Sequence, residues 1–209
     1  MDFMSADEFN DCRLVGGTSL SLQLGHRMSD DIDLFACNTI YDQLQFDAIE
    51  NYFLEHYPYV KGAVGGKVVH GRTYIIGISE EDCVKVDVYY SSEDFFQLEL
   101  VVEGVRIATV EEVIGMKLGI IEEGGRRKDF WDLHELLNSY SIEQMIECYW
   151  ARFPWKNDEG LIRSQLTNFQ LADEEDEDPK CLRGKEWAFI KQDFIELLGR
   201  GRPEPGFTR

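Results

Sequence analysis

The stretch that decides the fold runs from Leu14 to Phe35 and reads Leu-Val-Gly-Gly-Thr-Ser-Leu-Ser-Leu-Gln-Leu-Gly-His-Arg-Met-Ser-Asp-Asp-Ile-Asp-Leu-Phe. A short apolar run ends at a Gly-Gly pair, and Leu20 and Leu24 then stand four residues apart, which is helical spacing. Charged and apolar residues alternate from Asp31 onward, which is strand spacing. The stretch therefore predicts a strand, a glycine turn, a short helix and a second strand.

The glycine turn, Gly16-Gly17-Thr18-Ser19, has the composition of a phosphate-binding turn. Glycine lets the backbone approach a phosphate closely, and the first turn of a helix offers N–H donors at the positive end of its dipole. The hydroxyls of Thr18 and Ser19 add further donors. Many strand-to-helix turns use glycine for steric reasons alone, so this pattern by itself leaves both interpretations open.

The second feature is the acidic pair Asp31 and Asp33. Residues i and i+2 of a strand face the same side, so both carboxylates are predicted to project together while Ile32 and Leu34 enter the core. Neighbouring carboxylates repel each other and suit a hard divalent cation with oxygen ligands. A solvated strand edge is the alternative interpretation of an isolated D-x-D.

The spacing between the glycine turn and the acidic pair predicts that they meet, and a later strand supplies a third acid. Thirteen residues separate Gly17 from Asp31, enough for one helix that returns the chain to an adjacent strand. In Val84–Tyr89 the valines alternate with polar residues, which places Asp87 on the outer side of a further strand. Asp87 is predicted to complete a three-carboxylate site, as a metal ligand or as a base toward an acceptor hydroxyl.

The rest of the chain changes from mixed to helical periodicity. The predicted elements are a helix over 42–56, strands over 68–78 and 83–90, two short strands within 98–107 joined at Glu103-Gly104, and helices over 110–122 and 128–137. A Thr109–Glu112 capping box is expected to begin the helix over 110–122. These elements predict an α+β fold with a core over 1–108, a small mixed sheet flanked by helices, and a mostly helical region over 109–209.

Composition predicts a cytoplasmic protein without a membrane partner. The chain has 209 residues and 44% hydrophobic residues, enough for a packed core. No apolar run approaches the roughly 20 residues of a bilayer crossing, and the first residues lack the pattern of a secretion signal. The five scattered cysteines are expected to be thiols without a disulfide partner; they are Cys12, Cys37, Cys83, Cys148 and Cys181.

Charge narrows the classes of partner. The chain has 21 Lys and Arg against 40 Asp and Glu, a net charge of −19. This balance disfavours a broad nucleic-acid surface, which needs cations, and leaves room for a local basic cleft. The acidic run, residues 173–178, holds six of the acids. Because like charges repel, it is expected to be an unpacked solvated loop, with a docking site for a basic partner as the alternative.

These motifs carry a family resemblance. The glycine pair, the D-x-D and the later strand aspartate resemble the nucleotidyltransferase superfamily typified by DNA polymerase β. More closely, Leu14–Phe35 resembles the AbiEii/AbiGii toxin family of bacterial abortive-infection and toxin–antitoxin systems. A second patch, Glu112-Val-Ile-Gly-Met-Lys-Leu-Gly followed by Arg126-Arg-Lys-Asp-Phe-Trp-Asp-Leu, is similar to the helical K-L and R-x-K-D-x-x-D-L motifs of that family. Together the patches span about two thirds of the chain.

The resemblance implies an enzyme of the EC 2.7.7 type, the toxin of a phage-defence system, that moves a nucleoside monophosphate from an NTP to tRNA or a protein. Mg²⁺ or Mn²⁺ is the implied cofactor and a neighbouring antitoxin the implied partner. Six residues are expected to be catalytic: Asp31, Asp33, Asp87, Lys117, Lys128 and Asp129. The three that precede Lys117 in this list, Asp31, Asp33 and Asp87, are also the expected metal ligands. Seven are expected to bind nucleotide: Gly16, Gly17, Thr18, Ser19, Arg27, Arg127 and Asp132.

Physical chemistry supports this assignment for the second patch. Lys117, Arg127 and Lys128 would offset the charge of a triphosphate. Asp129 and Asp132, three residues apart on one helix, would orient those cations. Two other functions remain open at this point. One is transfer to a small cationic acceptor of the aminoglycoside kind, which suits an acidic surface; the other is a non-catalytic nucleotide-binding module that binds other proteins.

Overall fold

The computed structural model describes residues 2–36, 46–62 and 70–199. The chain forms two compact units, one of Met1–Gly25 with Ser29–Val113 and the other of His26–Met28 with Ile114–Arg209. The first unit contains the sheet and the second is helical. Cys37 and the predicted starts of the helix at residue 42 and of the strand at residue 68 lie outside the described residues.

The first unit is built on a mixed sheet. Its strands in the described part of the chain are β1 (Cys12–Val15), β2 (Ile32–Ala36), β3 (Tyr59–Lys61), β4 (Gly71–Gly77), β5 (Cys83–Tyr90), β6 (Leu100–Val102) and β7 (Val105–Ile107). Their order across the sheet is β3-β4-β5-β2-β1-β7-β6. Strand β2 runs antiparallel to β1 and parallel to β5. The predicted α+β class with a small mixed sheet is confirmed.

Strand alternation divides the sheet into an apolar face and a polar face. Leu34, Val86 and Val88 enter the core, where they lie with α2 (Phe46–His56) and the two short N-terminal 3₁₀ helices. Phe53 of α2 is fully buried there, and burial of such a side chain stabilises the fold by roughly 1.5–3 kcal/mol. Because alternate residues point the other way, positions 33 and 87 fall on the opposite face.

Helix α1 (Gly16–Leu24) follows β1 directly, so the predicted glycine turn is itself the first turn of the helix. It ends at Gly25, which has a left-handed φ of 60° and donates its N–H to the Ser21 carbonyl. Glycine at this position adopts the left-handed conformation without the penalty that a Cβ would bring. The helix thus returns the chain to β2, as the spacing predicts.

The second unit contains α4 (Arg127–Leu136), α5 (Ile142–Arg152), α6 (Glu159–Gln165), α7 (Gln170–Asp173) and α8 (Trp187–Gly199), together with most of α3 (Val110–Glu122). Phe130 of α4 lies at the centre of its core, with ring centroids of Phe169, Trp187 and Phe194 at 5.1, 5.8 and 6.0 Å. Among the described residues, no helix combines the length and apolarity that a bilayer crossing requires.

The acidic run lies at the surface, with five of its six acids exposed and Glu175 half-buried, and three of its acids have partners within the second unit. Asp173 ends α7 and accepts hydrogen bonds from Trp187 Nε1 at 2.7 Å and Lys191 Nζ at 2.8 Å. Asp178 pairs with Arg127 at 2.8 Å. The Glu175 carboxylate accepts the backbone N–H of Arg127, the first residue of α4, at 3.1 Å. Cations and a helix start thus offset the repulsion between neighbouring acids.

Candidate active site

The glycine turn and the acidic strand meet at the start of α1. Val15, the last residue of β1, pairs with Asp33 of β2. Gly16 follows with a left-handed φ of 68°, and a Cβ placed on it would lie 2.5 Å from Asp33 Oδ2. Both the backbone conformation and the close carboxylate therefore require glycine at this position. Gly16 and Asp33, seventeen residues apart in the sequence, therefore lie next to each other in the structure.

A second carboxylate lies beside the first. Asp33 of β2 is in register with Asp87 of β5, and Asp87 in turn is in register with Thr73 of β4. Paired residues on neighbouring strands project to the same face, so the two carboxylates are neighbours on the face opposite α2. Asp31 lies just before β2 begins, two residues from Asp33, and is half-buried. The three predicted acids therefore stand at one region of the sheet.

Both oxygens of Asp87 have donors within the chain. Thr73 donates its hydroxyl to Oδ1 at 2.5 Å, and the Lys85 ammonium donates to Oδ2. The hydrogen bond to Asp87, together with the charges of Asp87, Asp31 and Asp33, raises the pKa of Lys85 in spite of its partial burial. Sequence reasoning missed Lys85 as a site residue. Its position two residues before Asp87 on one strand was the signal that it shares that face.

The hydroxyls of the glycine turn bind other parts of the first unit. Thr18 Oγ1 donates to the Asp31 carbonyl and lies 3.0 Å from Ser29 Oγ. Ser19 Oγ donates to the Ala108 carbonyl at 3.1 Å. These bonds tie α1 to the loop before β2 and to the end of β7. The groups of this turn that suit a phosphate are therefore the backbone N–H groups of Gly16, Gly17 and Thr18.

The predicted residues of the second patch form a buried ion network within the second unit. Lys117 of α3 is 3% exposed and lies 2.6 Å from Asp129 Oδ1 and 2.8 Å from Asp132 Oδ2. Asp132 also accepts from Arg27 Nε at 2.5 Å and Nη2 at 2.8 Å, and His26 Nε2 lies 2.8 Å from its Oδ1. The i, i+3 spacing of the two aspartates does place them on one face toward Lys117.

The network keeps its groups charged despite burial. Burial opposes ionisation of Asp132, but Lys117, Arg27 and His26 outweigh it and hold the pKa of this carboxyl below its ordinary value. The pKa of Asp129 is lowered in the same way, because Lys117 and Arg126 outweigh burial. The two aspartates in turn raise the pKa of Lys117 against burial. Each buried charge is thus matched by partners at hydrogen-bonding distance.

The remaining predicted cations lie on α4. Arg127 is buried, and its guanidinium donates to the carbonyls of Ala172 at 3.1 Å and Glu175 at 2.5 Å as well as to Asp178. Its nucleotide-binding role stays a prediction that these contacts do not support. Lys128 is half-buried in the first turn of the same helix. The structure thus brings together the acids of the first unit, and separately Arg27, Lys117, Asp129 and Asp132 of the second.

The acids of the first unit suit a divalent cation that is shared with a ligand. Within residues 2–36, 46–62 and 70–199, no three His, Cys, Asp or Glu side chains are arranged to enclose a metal. Magnesium, however, is commonly bound by one or two carboxylates together with substrate phosphates and water. The neighbouring carboxylates of Asp33 and Asp87, beside helix N–H groups, supply that donor set.

Comparison with known proteins assigns the fold and the family. JHP933 from Helicobacter pylori has a similar structure, with a TM-score of 0.57 and 17% identity over 91% of this chain and 83% of that chain. MenT4, a nucleotidyltransferase toxin from Mycobacterium tuberculosis H37Rv, has a TM-score of 0.58 and 11% identity over 91% of this chain and 76% of that chain. No curated protein matches the chain in sequence.

A family model covers nearly the whole chain. The model of the nucleotidyl transferase AbiEii toxin of type IV toxin–antitoxin systems matches residues 2–207. The resemblance inferred from the glycine turn, the acidic pair and the two helical motifs is thereby confirmed. The chain belongs to the AbiEii family of nucleotidyltransferase toxins.

Proposed function

We propose that this nucleotidyltransferase is metal-dependent and transfers a nucleoside monophosphate from an NTP to a hydroxyl of tRNA or of a protein side chain. The observation that carries the proposal is the register of Asp33 with Asp87, with Asp33 Oδ2 directly against Gly16. Carboxylates of the kind that bind metal are thus adjacent to N–H donors of the kind that bind phosphate, which supports transfer from a metal-bound NTP.

The reaction follows from these positions. The N–H groups at the start of α1 orient the triphosphate, and Asp33 and Asp87, with Asp31 close to them in sequence, would hold Mg²⁺ or Mn²⁺ together with the phosphates, and the ion would offset phosphate charge. The acceptor oxygen bonds to the α-phosphorus while the bond from that phosphorus to the bridging oxygen breaks, and pyrophosphate leaves. We assign acceptance of the hydroxyl proton to Asp87, a carboxylate on the same face as Asp33.

The second-unit network is assigned a supporting role. Lys117, Asp129, Asp132 and Arg27 are buried and satisfy one another. We therefore propose that they hold α3 and α4 in place instead of contacting the nucleotide. A phosphate-binding role for Lys128, at the half-buried start of α4, stays a prediction from the sequence.

The metal-site assignment is tested by Asp33→Asn. Transfer of labelled NMP from each of the four NTPs to total tRNA and to cell protein is measured with Mg²⁺ or Mn²⁺. We expect a loss of at least about a hundredfold, as for removal of a key electrostatic contact to the transition state. Asp82→Asn, at an exposed residue in the turn before β5, is the matched control and should transfer at the normal rate. Equal activity of both variants would contradict the assignment.

A second experiment determines which molecule accepts the nucleoside monophosphate. A net charge of −19 weakens attraction to a polyanionic RNA and favours a cationic acceptor. Transfer to an aminoglycoside-like polycation is therefore the second candidate function. The same labelled NTP offered to tRNA, to protein and to aminoglycosides at matched concentrations separates the candidates. Label confined to the aminoglycosides would replace the macromolecular acceptor by the small one.

The family also implies an antitoxin encoded with this toxin. We propose that both act in the cytoplasm, where NTPs and tRNA are available. Expression of the chain in a bacterial host should slow growth, and Asp33→Asn should relieve that effect. Equal growth inhibition by the wild type and the variant would show that toxicity does not depend on nucleotidyl transfer.

A further inference from the structure

We propose that Lys85 is an internal counter-cation of the acidic site: it occupies the place of a divalent ion before substrate arrives, and it turns to the triphosphate when metal and NTP enter together. The proposal rests on the nucleotidyl-transfer site proposed above. It adds that the entering ligand is the metal–NTP complex and that free metal is bound weakly.

The first argument is the pairing of Lys85. Lys85 and Asp87 stand two residues apart on β5 and so share the face that also carries Asp33. The ammonium of Lys85 hydrogen-bonds Asp87 Oδ2, while Thr73 donates to Oδ1. Both carboxylate oxygens therefore have cationic or hydroxyl donors. A metal that binds Asp87 through Oδ2 must displace the ammonium.

The second argument is charge. Asp33 is in register with Asp87, the partner of Lys85, and Asp31 lies two residues away, so this ammonium lies in the electrostatic field of three carboxylates. A unit positive charge and a divalent cation about 6 Å apart repel each other enough, even with water-like screening, to weaken binding roughly tenfold. Lys85 thus disfavours a free metal ion at this site. It also relieves the mutual repulsion of the acids while no metal is present.

The third argument is the exposure of the Lys85 side chain. The Lys85 side chain is 44% exposed, whereas that of its partner Asp87 is 11% exposed. Lysine has a flexible four-carbon stem and binds phosphate as a point charge. With a metal–triphosphate complex bound, Asp87 would exchange the ammonium for the metal, and the Lys85 ammonium would turn to the phosphates as its new partner. The site is then neutralised by metal and substrate in a single step.

The test measures binding as well as activity. Mn²⁺ affinity is measured by calorimetry on the full chain without nucleotide, and then with Mn²⁺ and a non-hydrolysable NTP analogue. Lys85→Met keeps the stem and removes the charge. We expect Mn²⁺ alone to bind roughly tenfold more tightly to this variant, and the Mn²⁺–analogue complex to bind roughly tenfold more weakly. Lys85→Met with Asp87→Asn should lose the gain in Mn²⁺ affinity.

Lys61→Met is the matched control. Lys61, at the end of β3, has a similarly exposed side chain at 51% and pairs with one carboxylate, that of Glu80, at 2.9 Å. It should leave both affinities unchanged. Opposite changes for Lys85→Met would support the proposal, because a purely structural role would weaken both affinities. Mn²⁺ affinity within twofold of wild type, with or without an effect on analogue binding, would overturn it.

Failure of the proposal for Lys85 can be distinguished from failure of the proposed nucleotidyl-transfer function. If wild type transfers NMP and Asp33→Asn does not, but Lys85→Met fails to bind Mn²⁺ more tightly, the counter-cation role is wrong and the nucleotidyl-transfer site stands. If wild type neither binds the Mn²⁺–analogue complex nor transfers NMP, the proposed function fails, and the proposal for Lys85 fails with it.

Discussion

The buried carboxylate of Asp132 offers the most direct test of the second-unit network. Asp132 is 0% exposed and has four contacts between 2.5 and 2.8 Å, two from Arg27 and one each from His26 and Lys117. Asp132→Asn keeps the shape and removes the charge, so Arg27 and Lys117 remain buried with only part of their compensation. Breaking a buried ion pair on one side typically costs about 3–5 kcal/mol.

The expected loss is about 3 kcal/mol, at the lower end of that range because Asn retains one acceptor oxygen and Lys117 retains Asp129. All four tryptophans, at positions 131, 150, 155 and 187, belong to the second unit. Tryptophan emission during urea unfolding therefore reports on this unit, and the free energy of unfolding follows from the midpoint and slope of the transition.

Asp193→Asn is the matched control for Asp132→Asn. Asp193 also pairs with a histidine, His134, at 2.8 Å, but its side chain is 54% exposed. Solvent screening limits such a pair to about 0–1 kcal/mol. If Asp132→Asn destabilised the unit no more than Asp193→Asn does, the network would not contribute to stability as its burial and charge compensation indicate.

Three further predictions concern the glycine turn, the effect of pH on stability and the contacts of Arg127 with the acidic run. Gly16→Ala and Gly25→Ala both force alanine into a left-handed conformation, which costs about 1–2 kcal/mol. Only the new Cβ of Gly16→Ala meets Asp33. Urea unfolding should therefore show the greater loss of stability for Gly16→Ala, and labelled-NMP assays should show lost transfer for this variant alone. Because the pKa values of Asp129 and Asp132 are lowered in the folded state, their stabilisation is full above the ordinary aspartate value of 3.8 and declines as pH falls below it. The urea concentration at the midpoint of the tryptophan-emission transition should therefore decrease as the pH is lowered below about 4. A midpoint that does not change with pH in this range would contradict the expected loss of stability. Arg127→Met should destabilise the second unit by about 2 kcal/mol, because two carbonyls and a carboxylate lose their donor; an unchanged urea midpoint would show that the acidic run is not held by this residue.

Local sequence patterns were sufficient for several elements, but they did not predict β3 or the two N-terminal 3₁₀ helices. The strand over Cys83–Tyr90 and the helix over Val110–Glu122 are observed with their predicted bounds. Strand alternation and helix capping depend on residues a few positions apart, so they can be read without knowledge of the fold. The same patterns, with the resemblance they carry, were sufficient for the family.

The sequence thus determined most elements of residues 12–137 and the family, because those depend on residues a few positions apart. Only the tertiary structure decided which charges meet. Asp33 lies beside Asp87 because β2 and β5 pair in parallel and in this register, and Lys85 is paired because it shares their face. Lys117 is buried with Asp132 instead of facing solvent, and Asp178 of the exposed acidic run pairs with Arg127. Long-range pairing and burial set these partners, and neither is encoded in the spacing of a single segment.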